Sequence, residues 1–473
     1  MKKDTIAAIA TAVSDSGIGI IRISGDEAIE IAERLYRSKN GKKRLSQVES
    51  HTIHYGFLYD GDEMIDEVMV AVMKAPNTYT KEDTVEIDCH GGILVMQKVL
   101  ETALKNGCRL AEPGEFTKRA FLNGRIDLSK AEAVMDMIHS KNEFAMKASL
   151  KQLKGAVSDK VRVLRDDILY EIAFIESALD DPEHISLDGY HEKLETKTEL
   201  LLAELKKLID SADNGKLLKD GINTVIVGKP NAGKSSLLNR LVGEDKAIVT
   251  SVAGTTRDVL EETIKLHGIG LNIIDTAGIR DTEDEVEKIG VEKARKYAED
   301  ADLVIFVVDS SRPLDENDEE IIELLREKKV IVLLNKTDLE VKVTEEHMKK
   351  RFRNMYEGVE NHAYEKQSLR IIRTSTKENT GIDEFEHSIK DMFFAGKIAV
   401  NDEIYITSKR HKEALLEAYD SMQMVKRSLE DDMPEDFYSI DLMSAYASLG
   451  RIIGEEVEDD LVNEIFSKFC MGK

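Results

Sequence analysis

The segment GKPNAGKSS, residues 228–236, constrains the fold of this 473-residue chain more than any other. It follows the apolar run NTVIVG, opens a helical pattern, and fits the spacing G-x-x-x-x-G-K-[S/T]. Gly228 and Gly233 let the backbone wrap closely around phosphate, and the loop amides with the helix dipole meet the anion. Lys234 is expected to neutralise charge on the terminal phosphates, and the Ser235 hydroxyl to ligate magnesium. Asn231, Ala232 and Ser236 complete this set. Taken alone, the match also fits a glycine-rich turn with no ligand.

Three further segments fall in order behind it. DTAG (Asp275, Thr276, Ala277, Gly278) ends the next apolar strand, so its carboxylate can approach magnesium and the Gly278 amide the terminal phosphate. NKTD (Asn335, Lys336, Thr337, Asp338) ends the strand VIVLLN. There Asp338 can accept hydrogen bonds from N1 and the exocyclic amine of guanine, a donor pair that adenine lacks. STK (Ser375, Thr376, Lys377) can close over the base with backbone amides. Between GKPNAGKSS and DTAG lies TSVAGTTRD, where Thr250, Ser251, Val252, Ala253, Gly254 and Thr255 lead to Thr256, the expected second magnesium hydroxyl. Four motifs in this order specify a GTP site.

The motif-bearing stretch, residues 218–380, alternates short β-rich runs (NTVIVG, LNIID, DLVIFVVD, VIVLLN) with helical segments, the pattern of a parallel sheet covered on both faces. Residues 1–118 differ, mixing strands such as IGIIRISG and VEIDCHGG with helical stretches as in a compact α+β domain. From 119 to 217 strand signals vanish. Leu150, Leu153, Val157, Val161, Leu164, Ile168, Ile172 and Ile175 step by three and four, predicting one long amphipathic helix. Helical texture returns over 381–473, with Leu449, Ile452, Ile453, Leu461, Ile465 and Phe469 as candidate core. The expected architecture is therefore multidomain: an α+β N-terminal domain, an α-helical domain made of two chain segments, and an inserted α/β P-loop GTPase domain.

Composition limits partners and compartment. The net charge of −25 repels nucleic acid at long range, so any RNA must be held by a local patch or by another protein. Cys89, Cys108 and Cys470 are too scattered for a zinc site or a disulfide framework and predict a reducing, cytoplasmic setting. No apolar run approaches the roughly 18 residues of a membrane span. The start, MKKDTIAAIATAVSDSG, imitates a secretory signal, but Asp4 interrupts the basic region and a strand follows at once. The ending, CMGK, lacks the residues of a prenylation box.

The G motifs resemble those of translation-factor-type GTPases, many of which carry a water-orienting glutamine directly after DTAG. Here that position is Ile279, so another group must act, and Glu283, Asp284, Glu285 and Glu287 lie just beyond. GKPNAGKSSLLN, IVTSVAGTTRDV, IIDTAGIRDTEDEVEKIG, NKTD and FCMGK together resemble the tRNA modification GTPase family known as MnmE or TrmE. TIAAIAT, GIGIIRISG, DTVEIDCHGG and AEPGEFTKRAFLNGRIDLSKAEAV extend the resemblance over nearly the whole chain.

That resemblance implies an N-terminal folate-binding and dimerisation domain, so a homodimer. It implies modification of the 5-position of wobble uridine in certain tRNAs with a flavin-dependent MnmG/GidA partner and a tetrahydrofolate one-carbon unit. It implies potassium at the meeting of two GTPase domains, ligated by Asn231, Thr250, Val252 and Thr255, and makes Glu287 the water-orienting catalytic residue. Folate is implied at Arg22, Glu86, Arg125 and Lys473, and Cys470 becomes a candidate catalytic thiol. Departures from the family pattern are Ala12 to Gly17 in place of a Pro-Pro-Gly-Arg-Gly-like loop, Lys81 in place of a frequent glycine, STK for SAK, and Arg125 for lysine.

Two other functions share part of this pattern. A ribosome-assembly GTPase would share the G motifs and Ile279, but predicts a basic RNA-binding appendage, against which the net charge of −25 and the absence of a KH-type GXXG module argue. A folate-dependent transferase merely regulated by GTP would need no flavoprotein for its chemistry.

Overall fold

A computed structural model describes residues 4–243, 262–266, 269–274, 301–325, 328–356, 369–394, 404–455, 457, 459–469 and 472. Two compact units divide the chain, one of residues 1–138, 150–203 and 413–473, the other of 139–149 and 204–412.

The first unit contains a seven-stranded sheet of order β3-β4-β5-β6-β2-β1-β7. Its strands are β1 (Ile6–Ile9), β2 (Ser16–Ser24), β3 (Tyr36–Ser38), β4 (Thr52–Asp60), β5 (Glu63–Met73), β6 (Thr84–Gly91) and β7 (Arg109–Leu110). Alternation sorts the residues of each strand onto two faces. Ile21, Ile23, Val70, Val72, Val85 and Ile87 face α1 (Ala28–Leu35) and α2 (Ile93–Lys105) in one core. Their intervening neighbours Arg22 and Glu86 fall on the opposite face, where Ile6 and Ala8 form a small second cluster with Ala111, Phe116 and the half-buried Tyr79. Ala8, Arg22 and Glu86 are register partners across β1, β2 and β6, so they share one row of that face.

The helical part of this unit joins distant chain segments, as expected from the sequence. α3 spans Glu115–Leu122 and α4 Leu128–His139. Leu128 and Ala131 pack with Val462, Phe466 and Phe469 from the end of the chain. The long stripe beginning at Leu150 is not one helix: α5 (Glu143–Leu153) ends, Gly155 adopts φ 107, and α6 (Ala156–Asp180) begins. The hydrophobic period carried across a break that the left-handed glycine makes. Val157, Val161, Leu164, Ile168, Ile172 and Ile175 are buried as expected, but Leu150 is 40% exposed. Leu449, Ile452, Ile453 and Phe469 are buried, whereas Leu461 and Ile465 are half-buried beside Val462 and Phe466.

α7 (Tyr190–Asp220) leads to the second unit's six-stranded sheet, of order β13-β12-β11-β8-β10-β9. It comprises β8 (Ile222–Val227), β9 (Glu262–Leu266), β10 (Ile269–Ile273), β11 (Leu303–Asp309), β12 (Val330–Asn335) and β13 (Leu369–Arg373), parallel except for β9. In β11, Val304, Phe306 and Val308 enter one core while Ile305 and Val307 enter the other. Both faces are covered, which is why these strands read as unbroken apolar runs.

Candidate functional site

The described nucleotide motifs, at 228–236, 335–338 and 375–377, sit where a parallel sheet offers a ligand site, at the carboxyl ends of its strands. β8 runs into the 228–233 loop and then α8 (Lys234–Gly243). Gly233 has φ 108, and a Cβ there would lie 2.1 Å from Asn335 Nδ2, so both backbone conformation and space demand glycine. Asn335 is 1% exposed and joins three motif segments. Its Nδ2 donates to Ala232 O at 2.9 Å, and its Oδ1 accepts from the Thr376 amide at 3.2 Å. The sequence marks Asn335 as a binding residue but not this clamping role, which depends on the adjacency of three loops.

The loops after β12 and β13 are tied further. Thr337 donates to Thr374 O through its amide at 3.2 Å and its hydroxyl at 3.0 Å, and Ser375 Oγ donates to Asp338 Oδ1 at 2.8 Å. Lys336 Nζ pairs with Asp309 Oδ2 at 2.7 Å. Burial alone would raise the Asp309 carboxyl, but Lys336 and Ser311 hold it below its ordinary value. Lys234 Nζ donates to Gly228 O at 2.6 Å and Lys229 O at 2.8 Å, and burial lowers its pKa. A mostly buried ammonium held, among the described residues, by carbonyl dipoles suits an incoming anion, which would favour its charged form. Asp309 and Lys229 escaped the sequence reading. Lys229 pairs with Asp315 at 2.7 Å and Asp318 at 2.6 Å, tying the loop to the first turn of the helix Glu316–Leu324. Only the general abundance of lysine and acid could have signalled it.

Of the expected nucleotide ligands, Asn231, Ala232, Gly233, Lys234, Ser235, Ser236, Asn335, Lys336, Thr337, Asp338, Ser375, Thr376 and Lys377 are described. Thr250 to Thr256, Asp275 to Gly278, Ile279, and the acids Glu283, Asp284, Glu285 and Glu287 lie outside the described residues.

A second group of residues gathers on the free face of the first unit's sheet. Arg22 Nε donates to Glu86 Oε1 at 2.7 Å, and Arg22 Nη1 donates to Gly472 O at 3.2 Å, across 450 positions of sequence. Gly472 has φ 82, and a Cβ there would lie 2.3 Å from Ile9 O, so the chain's end can lie against β1 only with glycine at this position. Phe466 and Phe469, with ring centroids 5.0 Å apart, anchor the segment leading there. The Tyr79 ring has the Arg22 guanidinium 5.7 Å and the Arg125 guanidinium 4.7 Å from its centroid. Arg22 and Arg125 thus meet at Tyr79, and Glu86 joins them through Arg22; the sequence does not mark Tyr79 because no spacing links it to them. Lys473 and Cys470 lie outside the described residues.

The turn that carries Tyr79 is fixed from beneath. Ser24 Oγ donates to Glu82 Oε2 at 3.0 Å, Arg119 Nη1 pairs with the same oxygen at 3.1 Å, and Asn123 Nδ2 donates to Thr80 O at 2.6 Å. Lys81, the departure from a frequent glycine, has φ 59 and donates from Nζ to Gly124 O at 3.2 Å. That left-handed conformation is one glycine adopts without strain. The loop Ala12 to Gly17 is solvent-exposed, with Ser16 Oγ donating to Ile18 O at 2.9 Å. Cys89 and Cys108 are buried, and burial pushes their thiols up to about 11 and about 12, so neither is a reactive thiolate.

A mixed sheet unit, a two-segment helical part and a P-loop sheet with guanine-type loops define a multidomain GTP hydrolase. Residues 128–470 match the family model described as MnmE helical domain, and residues 5–125 match GTP-binding protein TrmE N-terminus. The chain is 57% identical over its full length to the whole tRNA modification GTPase MnmE of Lachnoclostridium phytofermentans. It is 48% identical to that of Clostridioides difficile, with 99% of each chain covered. It is also similar to the G domain of the T. maritima FeoB iron transporter, at 26% identity and a TM-score of 0.24, covering 36% of this chain and 98% of that one. The chain belongs to the MnmE family of tRNA modification GTPases, and is a GTP hydrolase that acts in tRNA modification. No described helix is long and apolar enough to cross a membrane.

Proposed function

We propose that this GTP hydrolase, with a flavin-dependent partner of the MnmG/GidA type, adds a (carboxymethyl)aminomethyl group at the 5-position of wobble uridine, using a tetrahydrofolate one-carbon unit. The observation that carries the reading is the Arg22 contact to Gly472, which joins the paired Arg22 and Glu86 to the last residues of the chain. A carboxylate at Glu86 suits the adjacent ring-nitrogen and amine donors of a pterin, while Arg22, Arg125 and Lys473 suit a carboxylate tail. Cys470 belongs to that same terminal segment and would take part in the modification chemistry.

Hydrolysis is assigned to the motif loops. Lys234 binds the terminal phosphates, Asp338 reads guanine, and Glu287 orients the attacking water. The residue set suits two cations, magnesium at Ser235 and Thr256 and potassium at Asn231, Thr250, Val252 and Thr255, which supply positive charge beside the phosphates. Asn231 is in the left-handed region at φ 62, so its side chain leaves the loop in a direction an ordinary residue would not take. Pairing of two GTPase domains in a cytoplasmic homodimer completes the potassium site. The working division is residues 1–118 for folate and dimerisation, 119–217 with 381–473 for the helical domain, and 218–380 for GTP.

Mass analysis of wobble uridines in cells lacking the chain tests the reading. Unmodified uridine at that position is expected, and an unchanged profile overturns it. Fast hydrolysis in potassium and slow hydrolysis in sodium is the companion result, and equal rates would remove the potassium assignment.

A further inference from the structure

An acidic chain that acts on tRNA needs a local region of opposite sign, and one lies on the first unit. Arg37, Lys39, Lys42, Lys43 and Arg44 fall within residues 37–44 with no carboxylate among them, in a chain whose net charge is −25. The Debye length of about 8–10 Å at physiological salt screens acids farther away, so the nearby groups decide what approaches.

This segment is an ordered loop. The Gly41 amide donates to Ser38 O at 2.8 Å, the Lys43 amide donates to Ser38 Oγ at 3.2 Å, and Leu45 is fully buried at its end. Lys42, Lys43 and Arg44 line an open cavity of about 430 Å³, within the range of about 300–1,000 Å³ usual for ligand sites. Glu49 is the one carboxylate on its wall, and Arg44 also lies 3.8 Å from Glu33. Neither Lys42 nor Lys43 makes an ion pair with a described residue.

The cavity wall also carries His54. His54 is 6% exposed, and its Nε2 lies 2.8 Å from Thr52 Oγ1, which itself donates to Glu49 O at 2.6 Å. Nε2 is therefore the protonated ring nitrogen. Nδ1 is then the acceptor nitrogen, buried and without a hydrogen-bond partner among the described residues, so the ring takes no part in holding a phosphate, which has no proton to donate.

We infer that the 39–44 loop and the cavity beside it form a binding site for the phosphodiester backbone of tRNA. The inference rests on the tRNA reading above but not on the folate or potassium assignments. Phosphates engage Lys42, Lys43 and Arg44 as charge contacts that set affinity and carry no sequence information.

The test is fluorescence-anisotropy titration of labelled tRNA with the full chain, at salt from about 50 to 200 mM. The triple variant Lys42→Ala, Lys43→Ala, Arg44→Ala is compared with Lys42→Arg, Lys43→Arg. Each lost phosphate contact removes about 0.7–0.9 from the slope of log affinity against log salt, so the alanine variant, which loses three, should lose about 2–3 and bind at least about tenfold more weakly. The arginine variant keeps the parent slope, and GTP hydrolysis is unchanged in both. Equal slopes and affinities in parent and alanine variant overturn the proposal. A parent chain that hydrolyses GTP but does not bind tRNA also overturns it, while leaving the GTPase reading intact. Anionic phosphatidylglycerol vesicles run alongside as a third arm. Loss of vesicle binding with tRNA binding retained assigns the loop to a lipid surface and likewise overturns it.

Discussion

The nucleotide loops and the Arg22 face are assembled in opposite ways. Each described nucleotide motif is a run of consecutive residues at the end of one parallel strand, and the sheet brings these runs together because those strands are parallel. The Arg22 face takes single residues from antiparallel strands, a turn and the chain terminus, joined by contacts across 64 and 450 positions. A site made of short contiguous runs can be read from spacing, whereas one made of isolated residues needs the fold before it can be seen.

If the two sites do separate work, damage to one should leave the other's binding intact. Lys234→Ala should lower GTP turnover by about a hundredfold or more, the scale for removing a group aimed at developing charge, with folate binding unchanged by calorimetry. Asn335→Ala opens the contact between the P-loop and the 375–377 loop. The loss of buried hydrogen bonds, at about 1–3 kcal/mol, should weaken GTP binding roughly five- to a hundredfold. Glu86→Gln should weaken folate binding about tenfold and leave the GTP hydrolysis rate unchanged, since it removes the charge that pairs with Arg22. A parallel loss of both activities in any of these variants would show one site depending on the other.

The smallest expected effect concerns acid. The Arg109 guanidinium holds the Asp4 carboxyl below its ordinary value, and Arg119 adds to this. Burial would raise Glu115, but hydrogen bonds from Arg109, the Glu112 amide and Arg119 bring it below 4.5. Both carboxylates bind protons more weakly folded than unfolded, so their stabilisation is present above the ordinary carboxylate range and is lost as pH falls through their folded values. Thermal melting should therefore show falling stability below about pH 4.5, with a shallower fall in Glu115→Gln.

Much of the fold is legible because both periodicities are strong. Strands buried on both faces, such as Leu303–Asp309, carry no polar interruption, and the sheet of the first unit alternates cleanly at Ile21, Arg22 and Ile23. The break at Gly155 is hidden because the apolar positions on either side keep helical spacing across it. Tyr79 is hidden for a different reason: its partners Arg22, Arg125 and Thr117 lie on three other elements, and the Tyr79 and Thr117 hydroxyls meet at 2.9 Å only once α3 has packed. Asp309 is likewise an ordinary strand-end acid until Lys336 reaches it.

The most direct test measures GTP hydrolysis and wobble-uridine modification on the same preparation of Arg22→Ala with the flavoprotein partner, in potassium. The variant loses the contacts to Glu86 and Gly472 and no contact of the nucleotide loops. The account predicts that modification disappears while the GTP hydrolysis rate stays at the parent value. Full modification by Arg22→Ala, or equal loss of both activities, would contradict it.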